Sequence, residues 1–275
     1  MRRIITAIIA TAALGGAWVP GAVAADLPVA PTYAPVYTKA PPPPSPVMSW
    51  TGFYIGGDVG GTWFKDQAAW NPLPIGPAPA FGANPITATE QGSSVIGGAH
   101  IGYNYQVAPA GVVGIEGDWM WSGAKASFTQ PWTFFGTATV VPGSSTTMGT
   151  QLEWLASIRG RVGYLVAPTV LLYGTGGVAF ADFKYTASNT NGVGGAGNYN
   201  APVSLTNTQP GWVAGGGLEW MVTNNWSVRG EYLFYQFNRG LNVIATSVNF
   251  PAFPSNYVWG RTNINVVRAG VSYKF

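Results

Sequence analysis

The stretch Arg261–Phe275 reads RTNINVVRAGVSYKF. In it, Val267, Ala269, Val271, Tyr273 and Phe275 share one parity, while Arg268, Gly270, Ser272 and Lys274 share the other. A period of two is the signature of a β-strand with one apolar and one polar face. The element runs to an aromatic residue, so Phe275 belongs to the strand itself. This pattern predicts a strand that closes a barrel against the first strand, Thr51–Phe64.

Working back from that strand, the same alternation recurs in seven other runs. In Thr51–Phe64, Phe53, Ile55, Val59 and Trp63 oppose Tyr54, Asp58 and Thr62. In Ser94–Gln106, Val95, Ala99, Ile101, Tyr103 and Tyr105 oppose Ile96, His100 and Asn104; in Gly111–Ser122, Val113, Ile115, Trp119 and Trp121 oppose Glu116 and Asp118. In Thr150–Leu165, Leu152, Trp154, Ile158, Val162 and Tyr164 read as the apolar face, against Glu153, Ser157, Arg159 and Arg161. In Val170–Tyr185, Leu171, Tyr173, Ala179, Phe183 and Tyr185 read as apolar, opposite Leu172, Asp182 and Lys184. Thr208–Val222 sets Trp212, Ala214, Leu218 and Trp220 against Glu219, and Trp226–Phe237 sets Trp226, Val228, Tyr232 and Phe234 against Arg229, Glu231 and Tyr235.

Short connections near Ala108, Pro168 and Asn224 alternate with four long segments, in one of which the alternation from Ser127 to Val141 extends a hairpin beyond the membrane. The expected fold is all-β: an eight-stranded antiparallel up-and-down barrel. An even, closed barrel puts both termini and the short turns on one side, and in exported barrels that side is periplasmic.

The N-terminus fits this destination. Arg2 and Arg3, the apolar run Ile4–Leu14 and Ala22-Val23-Ala24 before Ala25-Asp26 are the parts of a secretory signal peptide, assigned to residues 1–24 with cleavage between Ala24 and Ala25. Gly15-Gly16 and Pro20 interrupt it too early for a membrane helix of about 20 residues. Residues 25–48, with Pro28, Pro31, Pro35 and the run Pro41–Pro44, read as an extended periplasmic linker before a barrel over 49–275.

Composition narrows the function. Without Arg2 and Arg3 the basic count falls from 13 to 11 against 10 acids, so a formal +3 becomes +1 and nothing favours a nucleic-acid partner. Only 8% of residues are charged, where a soluble domain carries about 25%. A soluble barrel would need a densely charged exterior, yet the polar face here is mostly Gly, Ser and Thr. The aromatics Trp63, Tyr103, Tyr105, Trp119, Trp121, Tyr164, Tyr185, Trp226 and Tyr273 near strand ends suit headgroup girdles. Oily side chains therefore face lipid.

The inward face then collects Asp58, His100, Glu116, Asp118, Glu153, Glu219 and Glu231 with Arg159, Arg161, Arg229 and Arg268. Isolated buried ions are costly, so these residues should pair into an interior charge network. Folding back about Asn224 sets Glu219 opposite the region of Arg229, and folding back about Ala108 sets His100 opposite Glu116. An eight-stranded interior is only wide enough for side chains, so such pairs would plug it.

Ala25-Asp26-Leu27-Pro28, the run Trp50–Gly57 (WTGFYIGG), the run Trp226–Tyr232 (WSVRGEY) and the ending Gly270–Phe275 (GVSYKF) together resemble the small OmpA-like, opacity-type outer-membrane proteins, the surface-antigen "porin" group of alphaproteobacteria. The resemblance implies an outer-membrane barrel in contact with lipid and lipopolysaccharide, immunogenic loops, and a terminal signal, Tyr273 and Phe275, read by the barrel-assembly machinery. It also implies no peptidoglycan-binding domain of the longer OmpA pattern.

The leading expectation is a non-enzymatic structural barrel, a surface antigen supporting envelope integrity with at most a narrow pore. The alternatives are an adhesin or receptor acting through its loops, and a small-solute porin. The loop ligand is not readable, though Lys65, Asp66, Glu90, Lys125 and Arg239, placed in the loops, are few beside the aromatics there. A lipid-modifying enzyme needs a base near a nucleophile. The single histidine, His100, sits in mid-strand with inward parity. No metal cluster, phosphate loop or redox motif appears, and no cofactor is expected.

Overall fold

The computed structural model describes residues 48–73, 83–190, 200–238, 240–247 and 254–275. The signal-peptide and linker expectations, including Ala24 and Ala25, lie outside these residues except at the linker's last residue, and Arg239 lies outside them too. Ten strands are present in the described residues: β1 (Gly52–Pro72), β2 (Ile86–Ala108), β3 (Gly111–Ser122), β4 (Lys125–Thr133), β5 (Val140–Ala167), β6 (Val170–Thr190), β7 (Val203–Met221), β8 (Trp226–Phe237), β9 (Leu241–Thr246) and β10 (Pro254–Lys274).

They make eight positions around a closed antiparallel ring. The order is β1-β2-β3-β5-β6-β7-β8-β10, and β10 returns to pair with β1 from Tyr54↔Lys274 to Pro72↔Ser255. The alternating C-terminal stretch is thus the closing strand, and Phe275 N–H donates to Phe53 O at 2.9 Å. β4 takes up the place of β3 on β5 from Lys125↔Gln151, and β9 takes up the place of β8 on β10 from Trp259↔Leu241.

The short turns fall where the sequence sets them, at Pro109-Ala110, Pro168-Thr169 and Val222–Asn225. The other ends differ. Long stretches expected as loops are strand: β1 continues past Phe64 to Pro72 and β2 begins at Ile86. Lys65, Asp66, Glu90 and Lys125 are therefore strand residues, and Asp66 and Glu90 are buried.

Two bands of outward aromatics mark the membrane. The lower holds Phe53 against Tyr103 (ring centroids 4.7 Å apart), Trp226 against Tyr273 (5.0 Å) and Tyr273 against Phe275 (5.2 Å). The upper holds Trp119 stacked on Trp154 (4.4 Å) and Trp212 against Phe234 (5.5 Å). From Phe53 to Trp63 is roughly 25 Å of height for a strand tilted by about 40°, the apolar band of an outer-membrane barrel. Between the bands, Ile55, Val59, Ile101, Ile115, Ile158, Val162, Leu218 and Val267 are exposed, as lipid-facing residues must be.

Two facing assignments are corrected. On β6, Leu171, Tyr173, Ala179, Phe183 and Tyr185 point inward and are buried, while Leu172, Val178 and Phe180 are outside. This run is apolar on both parities, so alternation alone could not choose its face, and Tyr185 is no girdle residue. On β5, Leu152 is also interior. A bulge between Leu152 and Trp154 resets the alternation and lets Trp154 face outward beside Trp119.

Above the upper girdle the barrel wall continues as an extracellular extension. Its core is apolar and aromatic: Trp70 stacks on Trp132 at 4.9 Å, and Tyr185, Trp259 and Tyr257 pack in succession. A layer of Ile96, Met120, Leu155, Val213, Leu233 and Val266 belongs to the same cluster.

Candidate functional site

The interior below that apolar layer is where the ionisable residues converge. Inward parity on seven strands aims them at the axis, and inward glycines give them room. A Cβ on Gly270 would sit 2.1 Å from Asp58 Oδ1, and one on Gly56 would sit 2.4 Å from the His100 ring. Only a residue with no side chain fits at these two approaches.

Arg159 lies at the centre. Its guanidinium contacts Glu116 Oε1 at 2.5 Å, Asp118 Oδ2 at 2.7 Å and Glu231 Oε1 at 3.0 Å. Arg229 forks onto Asp58, with Nε to Oδ1 and Nη2 to Oδ2 both at 3.1 Å, and donates to Glu116 Oε2 at 2.5 Å. Arg268 bridges Glu231 (2.6 Å) and Asp118 (2.9 Å). Nearer the periplasmic end, Arg161 donates to Glu219 at 2.6 Å and to Tyr54 OH at 3.1 Å, and stacks 4.0 Å over the Tyr173 ring.

Neutral donors complete the set. The Tyr54 hydroxyl donates to Glu116 at 2.8 Å, Ser157 to Asp118 at 2.8 Å and Ser227 to Glu219 at 2.6 Å. Imidazole His100 places Nδ1 2.7 Å from Asp58 Oδ2 and Nε2 2.9 Å from Ser272 Oγ. Ten of the eleven residues proposed for the interior network are thus brought into one connected web.

Glu153 is not among them. It is the residue skipped by the β5 bulge, is half-buried and forms no ion pair among the described residues. One pairing differs from the hairpin arithmetic. His100 faces Asp118 across β2–β3, with Glu116 opposite Gly102, because the turn is centred one residue later than Ala108. Glu219 does lie directly across from Arg229, yet each side chain reaches over the lumen to another strand.

Tyr54, with its inward parity, was a visible candidate for the web. Tyr173 was hidden by the two-faced apolar run of β6, and the serines have no signal beyond parity.

Chemically the web consists of carboxylates paired with guanidiniums, five carboxylates to four arginines. Every guanidinium is committed, and all nine side chains are buried. His100 faces a carboxylate and a serine hydroxyl, but it lies inside the wall at 2% exposure, with charged neighbours filling the space a substrate would need. Among the described residues no group of three or more His, Cys, Asp or Glu is arranged to hold a metal.

At the periplasmic end Trp50 closes the lumen, its Nε1 donating to Pro168 O at 3.1 Å. Lys274 Nζ donates to Ser49 O on the same rim. Tyr273 and Phe275 lie on the outer face of the closing strand and meet edge to face.

Sequence comparison agrees with this architecture. A family profile described as "Outer membrane protein beta-barrel domain" matches residues 38–275. The chain is 27% identical over 271 residues to the 31 kDa outer-membrane immunogenic protein of Brucella melitensis, covering 96% of this chain and 98% of that one. It is 29% identical over 195 residues to the 22 kDa outer membrane protein of Rhizobium leguminosarum, covering 71% and 68%. Among solved structures, Ail, the attachment invasion locus protein of Yersinia pestis, aligns over 82% of this chain and 99% of its own, at 12% identity and a TM-score of 0.32.

Proposed function

The chain belongs to the outer membrane protein beta-barrel domain family, an outer-membrane protein of Gram-negative type, and from that footing we propose that it works as a closed structural barrel. It ties the outer membrane together, carries a rigid extension into the medium, and neither conducts freely nor catalyses a reaction. One observation carries this reading: the lumen is filled at three heights. Trp50 stands at the periplasmic rim, the arginine–carboxylate web lies across the membrane, and the Trp70–Trp132 stack lies above it.

A web of this kind resists opening, since removing one partner of a buried ion pair costs about 3–5 kcal/mol. Reconstitution in a planar bilayer tests the reading. The wild-type chain should show no steps, or only small ones, and Arg159→Ala should conduct more. A wide, discrete channel in the wild type would overturn the proposal.

A second role has its own support. The β4–β5 hairpin tip exposes Phe134 and Phe135 (43% and 59%) where Gly136 turns the chain at φ 72°. Two exposed aromatics at an extracellular turn suit contact with an apolar or glycan surface. The double substitution Phe134→Ser, Phe135→Ser should then reduce attachment of displaying cells to hydrophobic or glycan-coated beads while leaving the barrel folded. Unchanged attachment removes this reading.

A further inference from the structure

Above the upper girdle the rule that governs the lower interior is broken. Asp66 and Glu90, directly opposite each other on β1 and β2, are both buried (0% and 2% exposed), and no arginine or lysine of the described residues pairs with them. The four buried arginines of the described residues all belong to the lower web. Lys65 and Arg261 are near in sequence position but stand on the exposed outer face.

The groups that do face the pair are neutral and offer oxygen. Thr150 on β5 donates to Asp66 Oδ2 at 3.1 Å. Thr262 on β10 stands directly across the ladder from Asp66, 1% exposed, with its hydroxyl oxygen short of any well-formed hydrogen bond. Tyr185 on β6 feels both carboxylates and accepts a hydrogen bond from Gln209 at 2.9 Å. Asp66 Oδ1 and both Glu90 carboxylate oxygens make no well-formed hydrogen bond, Thr150 being the polar residue that approaches Glu90.

We propose that Asp66 and Glu90, with the hydroxyls of Thr150 and Thr262, form a site for a hard divalent cation of the Ca2+ class. Two carboxylates can supply four oxygens and the threonines two more, which meets the six to eight oxygen ligands Ca2+ takes. Their two negative charges match one divalent ion, removing the charge imbalance that burial makes costly. The donor set holds no nitrogen or sulfur, which disfavours Zn2+. Mg2+ sheds its waters reluctantly and fits a buried, strand-borne cage less well. A bulge between Asp66 and Ala68 interrupts the β1–β10 ladder beside the site.

The folded chain in detergent micelles, stripped with chelator at pH 8, provides the test. Tb3+ serves as a luminescent stand-in for Ca2+, excited through Tyr185 and the nearby tryptophans. Saturable Tb3+ emission displaced by Ca2+ is expected, with affinity at least tenfold weaker in Glu90→Gln and several-fold weaker in Thr262→Val, which keeps both carboxylates. Each variant is first shown to retain its β circular-dichroism signal. Emission that Ca2+ does not displace, or equal affinity in wild type and Glu90→Gln, would overturn the site and leave a pair that shares protons instead.

Discussion

The lower and upper halves of this barrel solve the same problem in opposite ways. Within the membrane, polar residues fill the lumen and cancel one another: Arg159 alone touches Glu116, Asp118 and Glu231. Beyond the membrane, aromatic packing fills it, and Asp66 and Glu90, buried there, have no counter-ion among the described residues. A lumen in lipid can be ionic because its charges are mutually satisfied, whereas an extension surrounded by water can rely on burying apolar surface.

The contrast predicts different responses to perturbation. The largest effect should come from Arg159→Ala, which leaves three carboxylates facing each other without their shared partner. A loss of about 3–5 kcal/mol, read from urea unfolding in micelles, is expected. A loss under about 1 kcal/mol would mean that the web is decorative and that the wall alone holds the barrel.

A smaller effect, and of a definite sign, should come from pH. Burial raises the carboxyls of Asp66 and Glu90 to about 7, so the folded protein holds protons there more tightly than the unfolded chain. Stability from this pair is full below the unfolded values near 4, falls as pH rises through the interval to about 7, and levels off above it. Without divalent ions, the unfolding free energy read from urea titrations should drop between pH 5 and pH 8 by on the order of 1–3 kcal/mol. The double variant Asp66→Asn, Glu90→Gln should abolish that drop. A drop that persists in the double variant would place its origin in the lower web.

Much of this was legible in the chain. Alternation fixed the ring, its closing strand and the three short turns, because one-sided burial forces a period of two. The same parity delivered ten of the web's members. Legibility failed where that rule has no purchase. Val170–Tyr185 is apolar on both parities, so its facing, and with it Tyr173, could not be chosen. Glu153 was misplaced by a bulge that no residue type announces. The hairpin of β4 and β5 was foreseen from its alternation, but the extensions of β1 and β2 were missed because the stretch between Phe64 and Ser94 read as a loop, and strand pairing beyond the girdle overrode that reading. With Asp66 and Glu90 assigned to loops, their burial opposite each other could not be anticipated.

The seam between β1 and β10 has a further consequence, for how the protein comes to be folded. Its partners, such as Tyr54 and Lys274, stand roughly 200 residues apart along the chain, the most distant kind of contact a fold can require. No intermediate made from the earlier strands alone can seal itself, and until β10 arrives both free borders present unpaired backbone. Assembly must therefore be slow and protected, and the final rungs laid down are the ones that commit the molecule.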